Sequence, residues 1–238
     1  MARVSGKNSG GGDYEIPDAG SYPARCIQVV ELGTHENTHP KAKKGATKEE
    51  ILIVWELSET MEDGRPFVVN WRGTASIGEK AHLRNKILVP WRGKPFTDAE
   101  LEEFDLANVL GAPCLLNVVH KESGEKTYVN VESIMPLPKG MKAEEAVNDL
   151  VNFEVVDYND DDMPPKIDCP EFRKLYAWVQ KIIFDSHEGK AFLSENPSFK
   201  DDIEKEREEA QAEREESENK GSSSKKGKTN DDDEEPPF

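Results

Sequence analysis

Four lysines lie close together in the segment 37–48, which contains no acidic residue: Lys41, Lys43, Lys44 and Lys48. A group of ammonium ions attracts phosphate oxygens, with an affinity that falls as salt is added. Lys121 precedes a second short polar segment, ESGEK, and Lys126 is its last residue. Each lysine alone is more typical of a solvated surface. It is the grouping on two short segments that indicates a polyanion-binding surface.

Tyr128 is a candidate for stacking on unpaired bases, which bind to exposed aromatic rings. It shares its strand face with Asn130 and Glu132, whereas Val129 and Val131 alternate with them. Period-two alternation predicts that the valines face a core and that the tyrosine ring points outward.

Trp71 is a second stacking candidate, with two alternatives that the pattern leaves open. It alternates with Phe67 and Val69, so a place in the core is as well supported as a place on a binding surface. Asn70 and Arg72 lie on the opposite face of the same predicted strand, where they are candidate contacts to a phosphate backbone.

The sequence His35-Glu-Asn-Thr-His39 matches the pattern H-E-x-x-H, which binds zinc when it lies on a helix. Pro40 follows at once and Gly33 precedes it, so we expect a loop rather than a helix. Without a helix the two imidazoles do not share a face. A zinc metalloenzyme using His35 and His39 is therefore a remote alternative, and we expect no catalytic residue, metal or cofactor.

The segment 231–238 combines five consecutive carboxylates, two prolines and a final aromatic residue. Such a run cannot build a core, because its charges repel and proline supplies no backbone donor. It could simply keep the protein soluble, but an aromatic residue after acidic ones is also typical of a peptide that inserts into a partner's pocket. The candidate partner-binding residues are Asp231, Asp232, Asp233, Glu234, Glu235, Pro236, Pro237 and Phe238.

The elements that must position these residues follow from hydrophobic periodicity. We predict strands over 22–33, 50–59, 67–75, 114–121 and 127–134, with helical segments over 77–89 and 98–110. A capping box, Thr97 to Glu100, begins the second helical segment. The order of three strands, a helical insert and two strands predicts a mainly β protein, a five-stranded OB-fold barrel with a helical insert.

The flanks of this predicted domain, 14–140, differ from it in composition. Residues 1–13 are rich in glycine and serine, which predicts a flexible arm. Residues 141–200 are predicted to form an acidic linker and a packing helix over 170–185. Residues 201–238 are predicted to be a disordered acidic tail, whose segment 200–219 could form a solvated but not a packed helix.

The charge is distributed unevenly along the chain. The net charge is −17, yet residues 20–140 carry 17 acids and 15 bases whereas residues 201–238 carry 15 acids and 7 bases. A nearly neutral domain leaves room for a basic surface in an acidic protein. There is no signal peptide or membrane-spanning run, and the three scattered cysteines suit free thiols. We therefore expect a cytoplasmic protein that does not engage membranes.

A resemblance to known proteins extends over about residues 13–140. It rests on four sequence segments: GSYPARCIQVVELG, ILIVWELSETMEDGRPFVV, WRGKPFT and LGAPCLLNVVHKESGEKTYVNVESIMPLPKG. They resemble a group of phage-encoded OB-fold single-stranded DNA-binding proteins, which also end in an acidic, aromatic-terminated tail. The resemblance implies a protein that covers and protects single strands during phage DNA replication and recombination in the bacterial cytoplasm. One departure is that a lysine and a tyrosine are common where this chain has Trp71 and Gly73.

Two partners follow from this resemblance: single-stranded DNA, with possible self-association on it, and replication or recombination proteins that bind the segment 231–238. An alternative from another functional class is a protein–protein adaptor of the replication machinery that uses the same fold to bind protein rather than DNA.

Overall fold

A computed structural model describes residues 15–124, 126–156 and 165–209 of the chain. The predictions for the segments 1–13 and 231–238 lie outside the described residues. Six strands are present: β1 (Gly20–Glu36), β2 (Thr47–Thr60), β3 (Pro66–Thr74), β4 (Pro113–Ser123), β5 (Lys126–Met135) and β6 (Val151–Phe153). The first five confirm the strands that alternation predicted, each slightly longer than expected or shifted by a residue.

The strands form one sheet in the order β3-β2-β1-β4-β5, with β6 joined to β1. β1 organises the sheet because it pairs on both edges. One edge pairs antiparallel with β2 along most of its length. The other edge pairs first with β4, through Gly20 to Arg25, and then in parallel with β6, through Gln28 to Val30.

The protein is mainly β, as predicted, and its sheet is mainly antiparallel, but the predicted closure into a barrel is not present in the described structure. Its two ends, β3 and β5, lie in contact, yet no backbone ladder joins them in the described part of the chain. The helical insert between β3 and β4 contacts β5 as well. It contributes Leu83, Ile87, Leu88 and Trp91 to the core that the sheet encloses. Burial of that core therefore does not depend on pairing between β3 and β5.

The inner face of β2 confirms the predicted alternation. Ile51, Ile53, Trp55 and Leu57 are all buried in this core. Trp55 lies against Trp91 of the insert, with ring centroids 5.7 Å apart. These aromatic rings bury large areas, so the contact joins the insert firmly to the sheet.

The helical insert is broken into shorter pieces than predicted. A π-helical turn (Leu83–Leu88) continues into α1 (Val89–Arg92), and α2 (Asp98–Glu102) is followed by a 3-10 turn (Leu106–Val109). α1 ends at Gly93, whose φ of 75° is left-handed and unfavourable for other residues. The capping box between Thr97 and Glu100 at the start of α2 is confirmed.

Residues 141–156 and 165–184 are not a linker beside the sheet but a cover over its outer face. β6 pairs with β1, α3 (Pro170–Arg173) contacts β6, and α4 (Ala177–Phe184) contacts β1. Three aromatic rings from these elements, Phe153, Phe172 and Phe184, pack together at centroid distances of 5.6 and 5.3 Å. We call this part of the chain the outer cover.

The packing helix predicted over 170–185 is divided between α3 and α4. At the break, Tyr176 adopts an extended conformation. The buried amide of Gln180 donates to the carbonyl of Phe172 at 2.5 Å. The same carbonyl also accepts from the backbone of Leu175 at 3.1 Å, so it keeps hydrogen-bond partners although the helix is interrupted.

The described residues divide into two compact units, with the boundary between Phe192 and Leu193. α5 (His187–Glu195) crosses this boundary. In the second unit, residues 199–209 are helical. Phe199 and Ile203 are buried, so the helix that the sequence allowed over 200–219 is not fully solvated at Ile203. Within the described ranges, no helix is both long and apolar enough to cross a membrane.

Candidate nucleic-acid interface

The loop between β1 and β2 presents three of the predicted lysines to solvent. Lys41, Lys43 and Lys44 are exposed, and none has an ion-pair partner among the described side chains. Backbone bonds shape the loop: Asn37 donates to the carbonyl of Ala46 at 2.8 Å, closing its base. A closed base with outward ammonium groups forms a compact positive projection, which we call the lysine loop.

The fourth predicted lysine, Lys48, is part of a different arrangement. Its Nζ lies 2.6 Å from Oε1 of Glu50, while Nε of Arg72 donates to Oε2 of the same carboxylate at 2.7 Å. The Glu50 side chain is only 6% exposed. Burial by itself raises the pKa of this carboxyl, but the bonds from Lys48 and Arg72 outweigh burial and lower the pKa below its ordinary value. Two predicted phosphate contacts are therefore held by one buried carboxylate.

The outer face of β3 is open, whereas that of β2 is not. Asn70 and Arg72 point outward and are exposed, as predicted. Their partners across the ladder, Val54 and Leu52, are fully buried. Glu56, farther along β2, accepts hydrogen bonds from the outer cover. In the described structure, β3 therefore keeps an accessible outer face, whereas the outer face of β2 is covered.

Trp71 lies on the core-facing side of β3, opposite Ile53 on β2. The indole is half-buried and packs against the core, and its ring stacks on His82 at a centroid distance of 6.0 Å and an angle of 14°. A Cβ at Gly73 would collide with this indole. The Trp71 ring thus covers position 73.

The hairpin of β4 and β5 brings together the remaining candidates. Lys121 and Tyr128 are directly paired across the ladder, so their side chains share one face. Tyr128 is 50% exposed, whereas Val129 and Val131 pack against the core. The predicted orientation of this strand is confirmed. Lys126 begins β5, and its side chain lies outside the described residues.

The lysine loop and the hairpin tip lie at opposite ends of β1. β4 pairs with the first residues of β1, and the His120 ring lies 2.8 Å from the carbonyl of Pro17, beyond the start of that strand. The lysine loop instead follows the last residue of β1, Glu36. The sheet therefore presents two separate groups of candidate contacts rather than one cluster.

The two histidines of the H-E-x-x-H pattern do not lie on a helix. His35 is in β1, and its ring nitrogen lies 3.0 Å from the carbonyl of Leu32. His39 is in the lysine loop, where its Nδ1 accepts from the backbone of Lys41 at 3.1 Å. Among the residues that the structure describes, no three His, Cys, Asp or Glu side chains are grouped so as to hold a metal ion.

Sequence reasoning missed Glu50 and His82. The signal for Glu50 was present, because Lys48 and Glu50 are two residues apart on a strand and so share a face. No local pattern indicated that His82, from the insert, would stack on Trp71.

Comparison with known proteins identifies no relative of this chain. No protein family matches this chain, and neither does any curated protein or solved structure.

Proposed function

We propose that this protein is an OB-fold single-stranded DNA-binding protein without enzymatic activity, which covers and protects unpaired strands during phage replication and recombination. The observation that carries the proposal is the lysine loop. In a chain of net charge −17, three exposed lysines project together without an acidic partner in the described structure. Such local separation of charge is the electrostatic footprint of a polyanion-binding surface.

The strand order supports the OB-fold part of the proposal. An OB-fold has five strands with Greek-key connections and a helical segment that packs against the barrel. Here the order β3-β2-β1-β4-β5 with an insert after β3 follows the same plan. The proposed fold is a partly open form, in which β3 and β5 touch without pairing.

A strand bound by this surface would use two different chemistries. Phosphates would contact the lysine loop, and Arg72 on the open face of β3 would offer a further cation if it exchanges Glu50 for a phosphate. Bases would stack on Tyr128, which lies beside Lys121. β1 separates the two groups, and its 17 residues would span roughly 50 Å if straight. We therefore expect affinity for poly-dT to increase with length until both groups are reached.

The segment 231–238 completes the proposal as the part that recruits replication or recombination proteins. Its acids would meet a basic rim and Phe238 would fill an apolar pocket on the partner. The spacer GSSSKKGKTN would supply reach.

Titration of the full chain with poly-dT tests DNA binding directly. We expect the fluorescence anisotropy of labelled poly-dT to increase on binding, and the affinity to depend on salt with a log–log slope of about −0.7 per phosphate neutralised. Replacing Lys41, Lys43 and Lys44 together by alanine should reduce that slope by about 2. The matched control replaces three exposed lysines elsewhere, Lys139, Lys142 and Lys190, and should leave the slope nearly unchanged.

Three outcomes would contradict the proposal: binding that does not change with salt, equal affinity for duplex and single strands, or the same slope in both triple variants. Absence of any binding to poly-dT would favour the adaptor alternative instead.

A further inference from the structure

A cavity of about 670 Å³ lies between the helical insert and the ends of the sheet strands β4 and β5. Its lining is largely aromatic and aliphatic: Leu88, Trp91, Phe96, Phe104, Val109 and Leu137. Cavities of this size are typical of sites that bury a ligand or the anchor side chains of a peptide. We call this cavity the insert groove.

The indole and guanidinium groups in the lining of the insert groove already have partners. Nε1 of Trp91 donates to the carbonyl of Pro113 at 3.0 Å. The Arg92 guanidinium lies 4.5 Å from the centre of the Phe96 ring and forms an ion pair with Glu100. The bond from Arg92 holds the pKa of Glu100 at about 2, so this carboxylate stays ionised and its partner stays neutralised.

The wall of the insert groove carries a net negative charge. Once Arg92 and Glu100 have cancelled, Glu103 is the charge that remains in the lining. The whole segment 91–105 has five acids and two bases, a net charge of −3, and Asp98 and Glu102 on α2 are exposed. Phosphate backbones are repelled by such a wall, and so is the acidic segment 231–238 of this or another copy.

We propose that the insert groove binds a basic peptide segment of a partner protein, anchored by an aromatic or aliphatic side chain and flanked by lysine or arginine. The apolar floor would bury the anchor, and Glu103, the unpaired carboxylate in the lining, would pair with a flanking cation. The exposed Asp98 and Glu102 of α2 would add negative charge nearby. Buried aromatic anchors supply most of the affinity of such contacts, whereas charges at the rim mainly select the partner. This inference is independent of DNA binding, because the groove is formed by neither the lysine loop nor the open face of β3.

Selection from a random library of peptides about twelve residues long, on the immobilised full chain, identifies the preferred chemistry. We expect the enriched sequences to share one or two large apolar residues flanked by Lys or Arg. The affinity of an enriched peptide is then measured by fluorescence polarisation.

Two exposed or half-exposed positions test where the peptide binds without removing core residues. Glu103→Lys should weaken binding about threefold to tenfold by reversing the charge that faces the peptide. Leu137→Ala should weaken it about threefold by reducing the apolar floor. Glu62→Lys makes the same charge change outside the groove lining and should have little effect.

Several results would overturn the inference. One is a selection that enriches no peptide, or only acidic or uncharged ones; another is equal binding by the Glu103→Lys and Glu62→Lys variants. Displacement of the peptide by a synthetic Asp231–Phe238 peptide would show that the groove holds the acidic segment instead. Displacement by poly-dT would assign the groove to nucleic acid.

Discussion

At the scale of single residues, Glu50 determines how two cations of the proposed interface are held. Its nearly buried carboxylate gives one oxygen to Lys48 and the other to Arg72. Two cationic partners compensate the cost of burying a carboxylate. If the carboxylate is lost, the cations beside it lose that compensation and the fold is destabilised. Glu50 therefore stabilises the pairing of β2 with β3, and it also reduces the positive charge of the proposed binding face.

We expect Glu50→Gln to lower the free energy of unfolding by about 2 kcal/mol, because one charged acceptor is lost and two cations remain. The effect should depend on pH. Folding lowers the pKa of this carboxyl below 4.5. The ionised carboxylate therefore contributes fully to stability above pH 4.5, and this contribution is lost as the pH falls through the pKa of the folded state. Urea titrations should show that the stability of the native chain falls below about pH 4.5. The stability of the Glu50→Gln variant should fall less steeply.

Glu49→Gln is the matched control, since Glu49 is exposed on the same strand. It should change stability little at any pH. Identical pH profiles for the two variants would show that the pairing with Lys48 and Arg72 contributes nothing to folding.

Tyr128 offers a second test at this scale, because its half-exposed ring is the most accessible of the predicted stacking groups. Tyr128→Ala should weaken poly-dT binding by about 1–3 kcal/mol, the usual contribution of one stacked base. Tyr128→Phe keeps the ring and should bind nearly as well as the native chain. Equal losses in both variants, measured by anisotropy, would assign the effect to the hydroxyl and exclude stacking.

At the scale of elements, the outer cover buries the face of β2 that would otherwise be accessible beside β3. Alternation correctly predicted the inner residues of β2, but its outer residues Leu52 and Val54 are equally buried. A strand buried on both faces has a nearly continuous apolar sequence, and ILIVW at 51–55 is such a run. The run therefore carried a signal for a second layer, although it could not show that residues 141–156 and 165–184 supply it.

Glu56 tests how firmly the outer cover is attached. Its carboxylate is buried and accepts from the backbone of Val147 at 2.8 Å and from the backbone and side chain of Asn148 at 2.9 and 2.7 Å. Glu56→Ala leaves these donors without their acceptor and should cost about 2–4 kcal/mol. Hydrogen exchange at the amides of 147 and 148 should accelerate. The exposed Glu59 provides the control variant, Glu59→Ala, and equal exchange in both would mean that the cover is held by its apolar contacts alone.

At the scale of the whole molecule, charge is separated along the chain. The segment 231–238 adds five carboxylates to a protein whose lysine loop has no acidic partner among the described side chains. When no DNA is bound, opposite charges favour an encounter between the two. We therefore expect the segment to compete with single strands for the lysine loop.

Deletion of residues 231–238 should tighten poly-dT binding several-fold at about 50 mM salt, and the gain should shrink at higher salt because screening removes the competition. Phe238→Ala keeps all five carboxylates and should leave DNA affinity unchanged while weakening capture of partner proteins. Unchanged affinity after the deletion would show that the segment recruits partners without regulating DNA binding.

The sequence by itself determined the features that depend on local periodicity. These are the five strands and their order along the chain, the residues of β2 that face the core, the capping box at Thr97 and the outward orientation of Tyr128. Each of these follows from the spacing of residues within about ten positions. The same information explains why the loop around His39 is not a zinc-binding helix.

Only the tertiary structure decided the open edge between β3 and β5, the pairing of Glu50 with Arg72, the stacking of Trp71 on His82, the outer cover and the insert groove. The physical reason is distance along the chain. Glu56 and Asn148 are 92 residues apart, and no periodic pattern shows which distant segment will cover an apolar face. The lysine loop between β1 and β2 thus followed from the sequence, whereas the open outer face of β3 beside a covered β2 required the fold.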